Sequence, residues 1–278
     1  METRFRLEWK DEETEEKEGI ALTNERPIDE TKAFWNERAA QFYKNQQKGR
    51  DETPERVAHH LTIRGFLVDD STVLDVGSGS GRYTIPFAQK ALHVTALDVS
   101  DAMLDFLKKE AASRDVSNIA TIESPWPTKE PLGSYDLVFA AMCPAVRSEA
   151  SLRQMDDCAS EAVVIARYNE TTDSILQQLH EADREQLFEG DPHNDRKMID
   201  DLEQIAKNDL DRVPHRHIIK EVRSERLPVE EAKARYARYE KKAPVIYEQL
   251  MALVDERTED GIVPVQKRTE LTLLYWEV

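Results

Sequence analysis

Short apolar runs alternate with amphipathic stretches through the middle of the chain. Four of the runs are apolar enough to be buried on both faces, as the strands of a parallel sheet are, and they read TVLDVG, HVTALDVS, YDLVFAAM and EAVVIARY. The stretches between them, such as DAMLDFLKKEAASR, carry apolar residues at helical spacing. This alternation predicts an α/β fold with a parallel sheet between about residues 72 and 168.

Two helices are predicted before the first strand. Residues 27–47 carry aromatic and apolar positions at helical spacing, with Thr31 as the candidate N-cap. A second helix follows Thr53 and Pro54 and ends at Gly65, because glycine is typical of helix C-termini. We expect the aromatic stripe of the first helix to pack on the body of the domain.

The pattern changes after Tyr168. Residues 170–213 are strongly acidic with scattered apolar positions, which predicts an insertion of two or three helices. A strand over 215–227, one or two helices over 228–257 and a strand over 267–278 are predicted to follow. We interpret the insertion as a substrate lid, and a dimerisation or solubilising appendage is the alternative.

Charge and composition narrow the class of protein. The net charge of −17 over 278 residues disfavours nucleic acid or an anionic membrane as the main partner, because both are negatively charged. Residues 1–29 are acidic and lack the apolar core of a signal peptide. We expect them to form a flexible segment before a single domain over 30–278. No apolar run approaches the roughly 20 residues of a membrane span. Because Cys143 and Cys158 are the only cysteines and show no metal-type spacing, we expect a cytoplasmic protein without a bound metal.

Three glycines at alternate positions follow the first predicted strand. Gly77, Gly79 and Gly81 lie between that strand and a helix-like stretch, an arrangement that brings a ligand close to backbone N–H groups. Asp98 ends the second strand, where a carboxylate accepts hydrogen bonds from ribose hydroxyls. A dinucleotide site usually has the spacing G-x-G-x-x-G, whereas this chain has G-x-G-x-G with Arg82 in place of the third glycine. The loop therefore favours a nucleotide-like cofactor other than a dinucleotide.

The run VLDVGSGSG, with ALDVS one strand later, resembles the class I S-adenosylmethionine-dependent methyltransferases. The resemblance covers residues 30–168 continuously, and residues 215–278 fit the last two strands of that family. It implies a Rossmann-like fold, with a seven-stranded, mostly parallel sheet in the order 3-2-1-4-5-7-6, the last strand antiparallel and helices on both faces. It also implies S-adenosyl-L-methionine as the cofactor. The segment AFWNERAAQFY is similar to the helix that closes over the cofactor in many members that act on small molecules.

Carried onto this sequence, the family pattern implies a set of cofactor-binding residues. Asp75 is expected near the amino group of the cofactor, Asp98 at the ribose and Trp126 at the adenine. Each of three residues also has a structural alternative. Asp75 would only support the end of its strand, Met103 would be a core residue of its helix, and Trp126 would pack on the surface of a loop. The implied residues are Asp75, Gly77, Ser78, Gly79, Gly81, Asp98, Val99, Met103, Trp126, Ala141 and Met142.

The sequence indicates the cofactor better than it indicates a catalytic residue, because the sulfonium already makes the methyl group an electrophile. Tyr43 and Cys143 are the catalytic candidates, and packing roles are the alternative for both. We expect methyl transfer to a small molecule by in-line displacement, and the acidic insertion favours a neutral or cationic acceptor. A protein or peptide acceptor, a dinucleotide-dependent oxidoreductase and a cofactor-binding protein without catalysis are the alternatives. The oligomeric state is not indicated.

Overall fold

The computed structural model describes residues 27–47 and 52–278. These residues fall into two compact units. The core unit contains the described residues up to Arg167, with Lys197–Ile219 and Thr272–Val278. The second unit contains Tyr168–Arg196 and Lys220–Leu271.

The first helix, α1, spans Ile28–Gln47. It begins three residues before the predicted N-cap, and the backbone N–H of Thr31 donates to the carbonyl of Pro27 at 3.0 Å. Thr31 therefore lies within the first turn, and the prediction that it caps the helix was wrong. Of the predicted flexible segment 1–29, residues 1–26 lie outside the described residues, so its flexibility stays a prediction.

The described residues form a seven-stranded sheet in the order β3-β2-β1-β4-β5-β7-β6, and its last strand is antiparallel. The first five strands pair in parallel, with Val76 opposite both Leu97 and Ala140, and Ala141 opposite Ala166. The predicted fold class is confirmed. The strands are β1 (Thr72–Val76), β2 (His93–Asp98), β3 (Ile119–Glu123), β4 (Tyr135–Ala141), β5 (Ala159–Asp173), β6 (His215–Pro228) and β7 (Ile262–Glu277).

Further helices alternate with these strands. The predicted C-terminus of α2 is confirmed, because Gly65 follows the helix with a φ of 81°. In the part of the chain that the structure describes, no helix is long and apolar enough to cross a lipid bilayer. The helices after α1 are α2 (Thr53–Ile63), α3 (Thr84–Ala88), α4 (Asp101–Ser113), α5 (Glu149–Cys158), α6 (Glu181–Phe188), α7 (Arg196–Asn208), α8 (Val229–Tyr236) and α9 (Pro244–Glu256).

Helix α4 shows how the sequence positions the end of β2. Ser100 is its N-cap, as predicted, and its hydroxyl accepts a hydrogen bond from the backbone N–H of Met103 at 3.1 Å. Met103, Leu104 and Leu107 are buried along one face of the helix. The cap and this apolar face together fix the two residues between β2 and α4, and hence the direction of Asp98.

The second unit has its own apolar core, which includes Ile175, Leu250 and Val263. Asp173 is buried beside this core and accepts hydrogen bonds from the backbone N–H of Ile175 at 2.9 Å and from the hydroxyl of Tyr236 at 2.7 Å. A buried carboxylate with several donors is stabilised rather than left as an isolated charge.

The predicted insertion at 170–213 contains the end of β5, a 3-10 turn (Leu176–Gln178), α6 and α7. Helix α6 belongs to the second unit, and α7 after Arg196 belongs to the core unit. The insertion is thus not one compact body. Its role as a substrate lid stays a prediction.

Two histidines stack in the core unit. The imidazole rings of His60 on α2 and His217 on β6 are 3.7 Å apart between centroids and 10° from parallel. Burial lowers the pKa of His60 to about 4, and the charges of His217, Arg64 and His59 lower it further. His60 therefore stays neutral in the folded protein down to a lower pH than it does in the unfolded chain.

This difference predicts an acid-sensitive stability. Because the pKa of His60 is lower in the folded than in the unfolded state, the unfolded chain binds an extra proton between about pH 6.5 and pH 4. Stability should be lost as the pH falls through that window, by about 1–2 kcal/mol after allowance for partial exposure. Chemical denaturation of His60→Phe, which keeps an aromatic ring against His217, should show a weaker loss of stability. The same substitution at the exposed His180 is the control, and equal pH profiles for His60→Phe and the wild type would contradict this assignment.

Candidate cofactor site

The glycine loop after β1 is tied to the end of β2. The backbone N–H groups of Gly77 and Ser78 donate to the carbonyl of Leu97 at 2.8 and 3.1 Å. Gly77, Gly79 and Gly81 have φ values of 69°, 53° and 88°, a left-handed region that favours glycine. The loop therefore turns tightly above the carboxyl ends of two parallel strands, the edge at which open α/β sheets bind ligands.

The three positions require glycine for different reasons. A Cβ on Gly77 would lie 2.5 Å from Sγ of Cys143, and a Cβ on Gly81 would lie 2.9 Å from Cγ of Leu107. A Cβ on Gly79 would meet no heavy atom within 4 Å. Only Gly79 of the three thus borders open space, while Gly77 and Gly81 are required by internal packing as well as by their φ values.

This contrast gives a testable stability difference. Gly77→Ala should lower the free energy of unfolding by about 2–3 kcal/mol, because it combines a positive φ with a clash against Cys143. Gly79→Ala should lose only about 1 kcal/mol, from its φ alone. Cys143→Ala should restore part of the loss in the Gly77→Ala background, since it removes the sulfur. Equal losses for the two glycine variants in urea denaturation would refute the packing explanation.

Asp98 lies at the centre of the site. Its Oδ2 accepts a hydrogen bond from the backbone N–H of Gly79 at 2.9 Å, and its Oδ1 accepts one from the backbone N–H of Ser100 at 2.9 Å. The side chain is buried, and burial raises its pKa, whereas the backbone hydrogen bonds from Ser100, Gly79 and Val99 lower it. Both carboxylate oxygens are thus fixed in direction, and each keeps a lone pair for a further donor.

Asp75 lies deeper, near the end of β1. It is 1 % exposed, and its Oδ2 accepts a hydrogen bond from the Thr84 hydroxyl at 2.6 Å. Burial raises its pKa to about 7, the hydrogen bond from Thr84 lowers it, and the charge of Asp98 raises it further. This hydrogen bond joins the end of β1 to the start of α3, so it agrees with a bracing role for Asp75, and the predicted contact with the cofactor stays a prediction.

The remaining residues predicted near the loop and β2 are close in the chain to these carboxylates. Ser78 is 8 % exposed, and its hydroxyl has no hydrogen-bond partner in the structure. Val99 is half-buried directly after Asp98, and Met103 is buried in the first turn of α4. A buried hydroxyl without a partner is uncommon and marks a place where a ligand atom or water completes the hydrogen bonding.

The end of β4 carries the next predicted group. Ala141 and Met142 are half-buried, and Met142 has a φ of 51°, a conformation that costs energy for any residue with a side chain. The backbone N–H of Met142 donates to the carbonyl of Ala166 at 2.9 Å, so β5 holds this strained residue in place. Burial raises the pKa of the adjacent Cys143 thiol to about 11. At neutral pH Cys143 is therefore an uncharged thiol packed against Gly77, which favours its packing role over a catalytic one.

Trp126 is buried, and its indole N–H donates to the backbone carbonyl of Ser151 in α5 at 3.1 Å. This hydrogen bond holds the loop after β3 against α5. The ring is thus fixed by the fold, and its predicted contact with the adenine stays a prediction.

Helix α1 contributes polar side chains that the sequence had not singled out. The Ser100 hydroxyl donates to Oδ1 of Asn36 at 2.5 Å, and the Ser80 hydroxyl in the glycine loop donates to Oε1 of Gln46 at 2.6 Å. Lys32 forms an ion pair with Glu123 at the end of β3 at 2.6 Å. Helix α1 therefore crosses the ends of β3, β2 and β1 in turn. The spacing of these polar positions along one helical face is the signal that could have revealed them.

Tyr43, which precedes Gln46 on α1, contacts α4. Its ring stacks on Phe106 with centroids 4.7 Å apart, and its hydroxyl donates to Oε2 of Glu110 at 2.8 Å. That hydrogen bond raises the pKa of Tyr43. Glu110 is ten residues along α4 from Ser100, about 15 Å. The contacts of Tyr43 thus favour a role in joining α1 to α4 over a catalytic one.

Comparison with known proteins agrees with this arrangement. The family described as a methyltransferase domain matches residues 73–163, which include β1 after its first residue, the glycine loop, Asp98 and the end of β4. A solved magnesium protoporphyrin IX methyltransferase from Synechocystis PCC 6803 has the same fold, with a TM-score of 0.50 at 14% identity over 90% of this chain and 98% of that chain. Residues 73–163 are thus a methyltransferase domain, and the sheet around it has the Rossmann-like methyltransferase fold.

Curated relatives match short stretches of this chain. A probable ribosomal RNA small subunit methyltransferase A of Methanosphaera stadtmanae is 33% identical over 57 residues, 20% of this chain and 21% of that protein. An (S)-coclaurine N-methyltransferase of Thalictrum flavum is 28% identical over 99 residues, 35% of this chain and 27% of that protein. The chain thus spans about a quarter or less of the length of these curated relatives.

Among residues 27–47 and 52–278, no three histidine, cysteine, aspartate or glutamate side chains are grouped as metal ligands.

Proposed function

We propose that the protein transfers a methyl group from S-adenosylmethionine to a small-molecule acceptor. The observation that carries the proposal is the pairing of Asp98 with the glycine loop. Both oxygens of the carboxylate are fixed by backbone N–H groups, one from Gly79 and one from Ser100. Fixed in this way, the carboxylate is prepared to accept hydrogen bonds from the two hydroxyls of one ribose.

The residues present fit this cofactor. Gly79 borders open space, Ser78 offers a buried hydroxyl without a partner, and Asp75 offers a second carboxyl group for the cationic amino group of the methionyl part. The spacing of the glycines also favours S-adenosylmethionine over a dinucleotide, since Arg82 occupies the position of the third glycine in the dinucleotide-binding pattern. The Synechocystis relative was solved with S-adenosylhomocysteine bound, which supports the same class of ligand here.

The cofactor supplies a methyl group already activated by the positive sulfur. The chain holds the cofactor in a fixed orientation. Asp98 and the glycine loop fix the nucleoside end, and Asp75 holds the amino end. Met142, held in its strained conformation by the carbonyl of Ala166, shapes the wall at the end of β4. Orientation and exclusion of water are enough to accelerate an in-line displacement when the acceptor arrives unprotonated.

A small-molecule acceptor is supported by the two plant relatives, which are named as N-methyltransferases of coclaurine and tetrahydroprotoberberine. The net charge of −17 disfavours the phosphate backbone of a nucleic acid. Because one relative is named as a ribosomal RNA methyltransferase, RNA is included in the test below.

The test is release of S-adenosylhomocysteine from S-adenosylmethionine, measured by mass spectrometry. The purified protein is incubated with separate pools of amines, phenols, carboxylic acids, peptides and ribosomal RNA. The proposal expects release above background with a small-molecule pool and loss of that release in Asp98→Asn. Release only with RNA or peptides would refute the small-molecule acceptor, and release with no pool would favour a cofactor-binding protein without catalysis.

A further inference from the structure

The apex of the glycine loop, Gly79 and Ser80, is held by two side-chain acceptors. The backbone N–H of Gly79 donates to Oδ2 of Asp98 at 2.9 Å, and the buried hydroxyl of Ser80 donates to Oε1 of Gln46 at 2.6 Å. Asp98 ends β2, whereas Gln46 lies on α1, 34 positions before Ser80. Because glycine adopts many backbone conformations, a loop with three glycines keeps one geometry only where such anchors hold it.

Asn36 on α1 holds the turn that orients Asp98. Its Oδ1 accepts a hydrogen bond from the Ser100 hydroxyl at 2.5 Å, and its Nδ2 donates to Oδ1 of Asp101 at 2.7 Å. Ser100 is fully buried, and its backbone N–H donates to Oδ1 of Asp98 at 2.9 Å. Gln46 and Asn36 thus tie both partners of the hydrogen bond between Gly79 and Asp98 to the same helix.

These two contacts bear on affinity because they act before any ligand binds. A ligand binds more tightly to groups that are already fixed in the required geometry, since binding then costs less conformational entropy. A Cβ on Gly79 would meet no heavy atom within 4 Å, so packing beside this residue does not fix the apex. The hydrogen bonds of Asp98 and Gln46 are therefore the contacts that we expect to keep the apex in place.

We propose that Gln46 and Asn36 are positioning residues that keep the glycine loop and Asp98 in the geometry that binds the cofactor. This inference rests on the proposed function. It goes beyond closure of a helix over the cofactor, because both side chains bond to the protein's own loop and turn. Helix α1 thus contributes to the site although it lies outside residues 73–163, which the methyltransferase family matches.

Two neighbouring glutamines of α1 provide a matched test. Gln47 donates from Nε2 to Oε2 of Glu110 on α4 at 2.8 Å, so it joins α1 to the domain without a bond to the glycine loop. Methionine is similar in length and helix propensity to glutamine but is only a weak hydrogen-bond acceptor. Calorimetric titration should show that Gln46→Met raises the Kd for S-adenosylhomocysteine about five- to tenfold, whereas Gln47→Met leaves it unchanged. Gln46→Glu keeps the acceptor oxygen and should bind as the wild type does.

A double-mutant cycle separates positioning from a general loss of stability. Ser80→Ala removes the donor, so Gln46→Met should cause no further loss of affinity in the Ser80→Ala background. Asn36→Leu should also raise the Kd about five- to tenfold. Asn45→Leu is its control, because Asn45 is exposed on the same helix and accepts a hydrogen bond from Gln41 at 2.9 Å. Urea denaturation without ligand checks that each variant is folded under the titration conditions.

The outcomes separate this inference from the proposed function. Wild-type affinity in Gln46→Met, or an equal loss in Gln47→Met, refutes the positioning role and leaves the proposed function intact. An equal effect of Gln46→Met in the wild-type and Ser80→Ala backgrounds also refutes it, even if Asn36→Leu does not fold. Failure of the wild type to bind S-adenosylhomocysteine refutes the proposed function, and this inference with it.

Discussion

Asp98→Asn is expected to weaken the binding of S-adenosylhomocysteine about 100-fold, which corresponds to about 3 kcal/mol. The asparagine keeps the shape of the side chain but loses the negative charge, and hydrogen bonds to a charged acceptor contribute about 1.5–3 kcal/mol each. Its amide nitrogen also cannot accept the backbone N–H of Gly79 or of Ser100. One of these two backbone N–H groups therefore loses its acceptor at the same time as the ribose loses a partner.

Calorimetric titration measures this effect, and Asp105→Asn is the matched control. Asp105 lies on the exposed face of α4, where its carboxylate pairs with Lys108 at 3.1 Å. The same substitution there should leave the affinity unchanged. If the Asp98→Asn protein unfolds as the wild type does and binds S-adenosylhomocysteine with wild-type affinity, Asp98 does not contribute to the cofactor site.

Asp75→Asn is expected to make the protein more stable and the cofactor bind less tightly. Burial raises the folded-state pKa of Asp75 to about 7, well above that of the unfolded chain. Between about pH 4 and pH 7 the folded state therefore keeps a proton that the unfolded state releases, so stability falls as the pH rises. The asparagine, which has no charge to desolvate, should gain up to about 3–4 kcal/mol over the wild type at pH 8 and little at pH 4.

Urea denaturation across this pH range checks the gain, and Asp136→Asn is the control of opposite sign. The backbone hydrogen bond from Thr72 lowers the pKa of Asp136, so loss of that carboxylate should destabilise the protein at neutral pH. The affinity of the wild type for S-adenosylhomocysteine should also fall below pH 7, as Asp75 takes up its proton, and should lose this dependence in Asp75→Asn. If Asp75→Asn were less stable than the wild type at pH 8, this result would contradict the claim that the buried charge of Asp75 destabilises the folded protein.

The sheet was predictable from local pattern, but the lengths of β5 and β7 were not. The apolar runs that form β1, β2 and β4 are each buried on both faces, so sequence and burial agree. β5, in contrast, continues to Asp173 through the polar residues NETTD. Just beyond it, the backbone N–H of Ser174 donates to the carbonyl of Gln266, a residue 92 positions later in the chain. Pairing at such a distance overrides local propensity and leaves no signal in a short window.

Some residues of the candidate site were likewise predictable from the sequence around them, and others depend on distant parts of the chain. Gly79, Asp98 and the N-cap Ser100 follow from their spacing, because each role depends on neighbours within one strand–turn–helix unit. The reasons for Gly77 and Gly81 depend instead on Cys143 and Leu107, which come from distant elements. For this reason the sequence predicted that these positions must be glycine but not what would fill the space beside them.

Titration of the purified wild-type chain with S-adenosylhomocysteine, with NAD and NADP in parallel, tests the central claim most directly. The glycine spacing and the fixed carboxylate of Asp98 predict binding of S-adenosylhomocysteine and of neither dinucleotide. Binding of NAD or NADP, or no binding of S-adenosylhomocysteine, would contradict the assignment of this loop to S-adenosylmethionine.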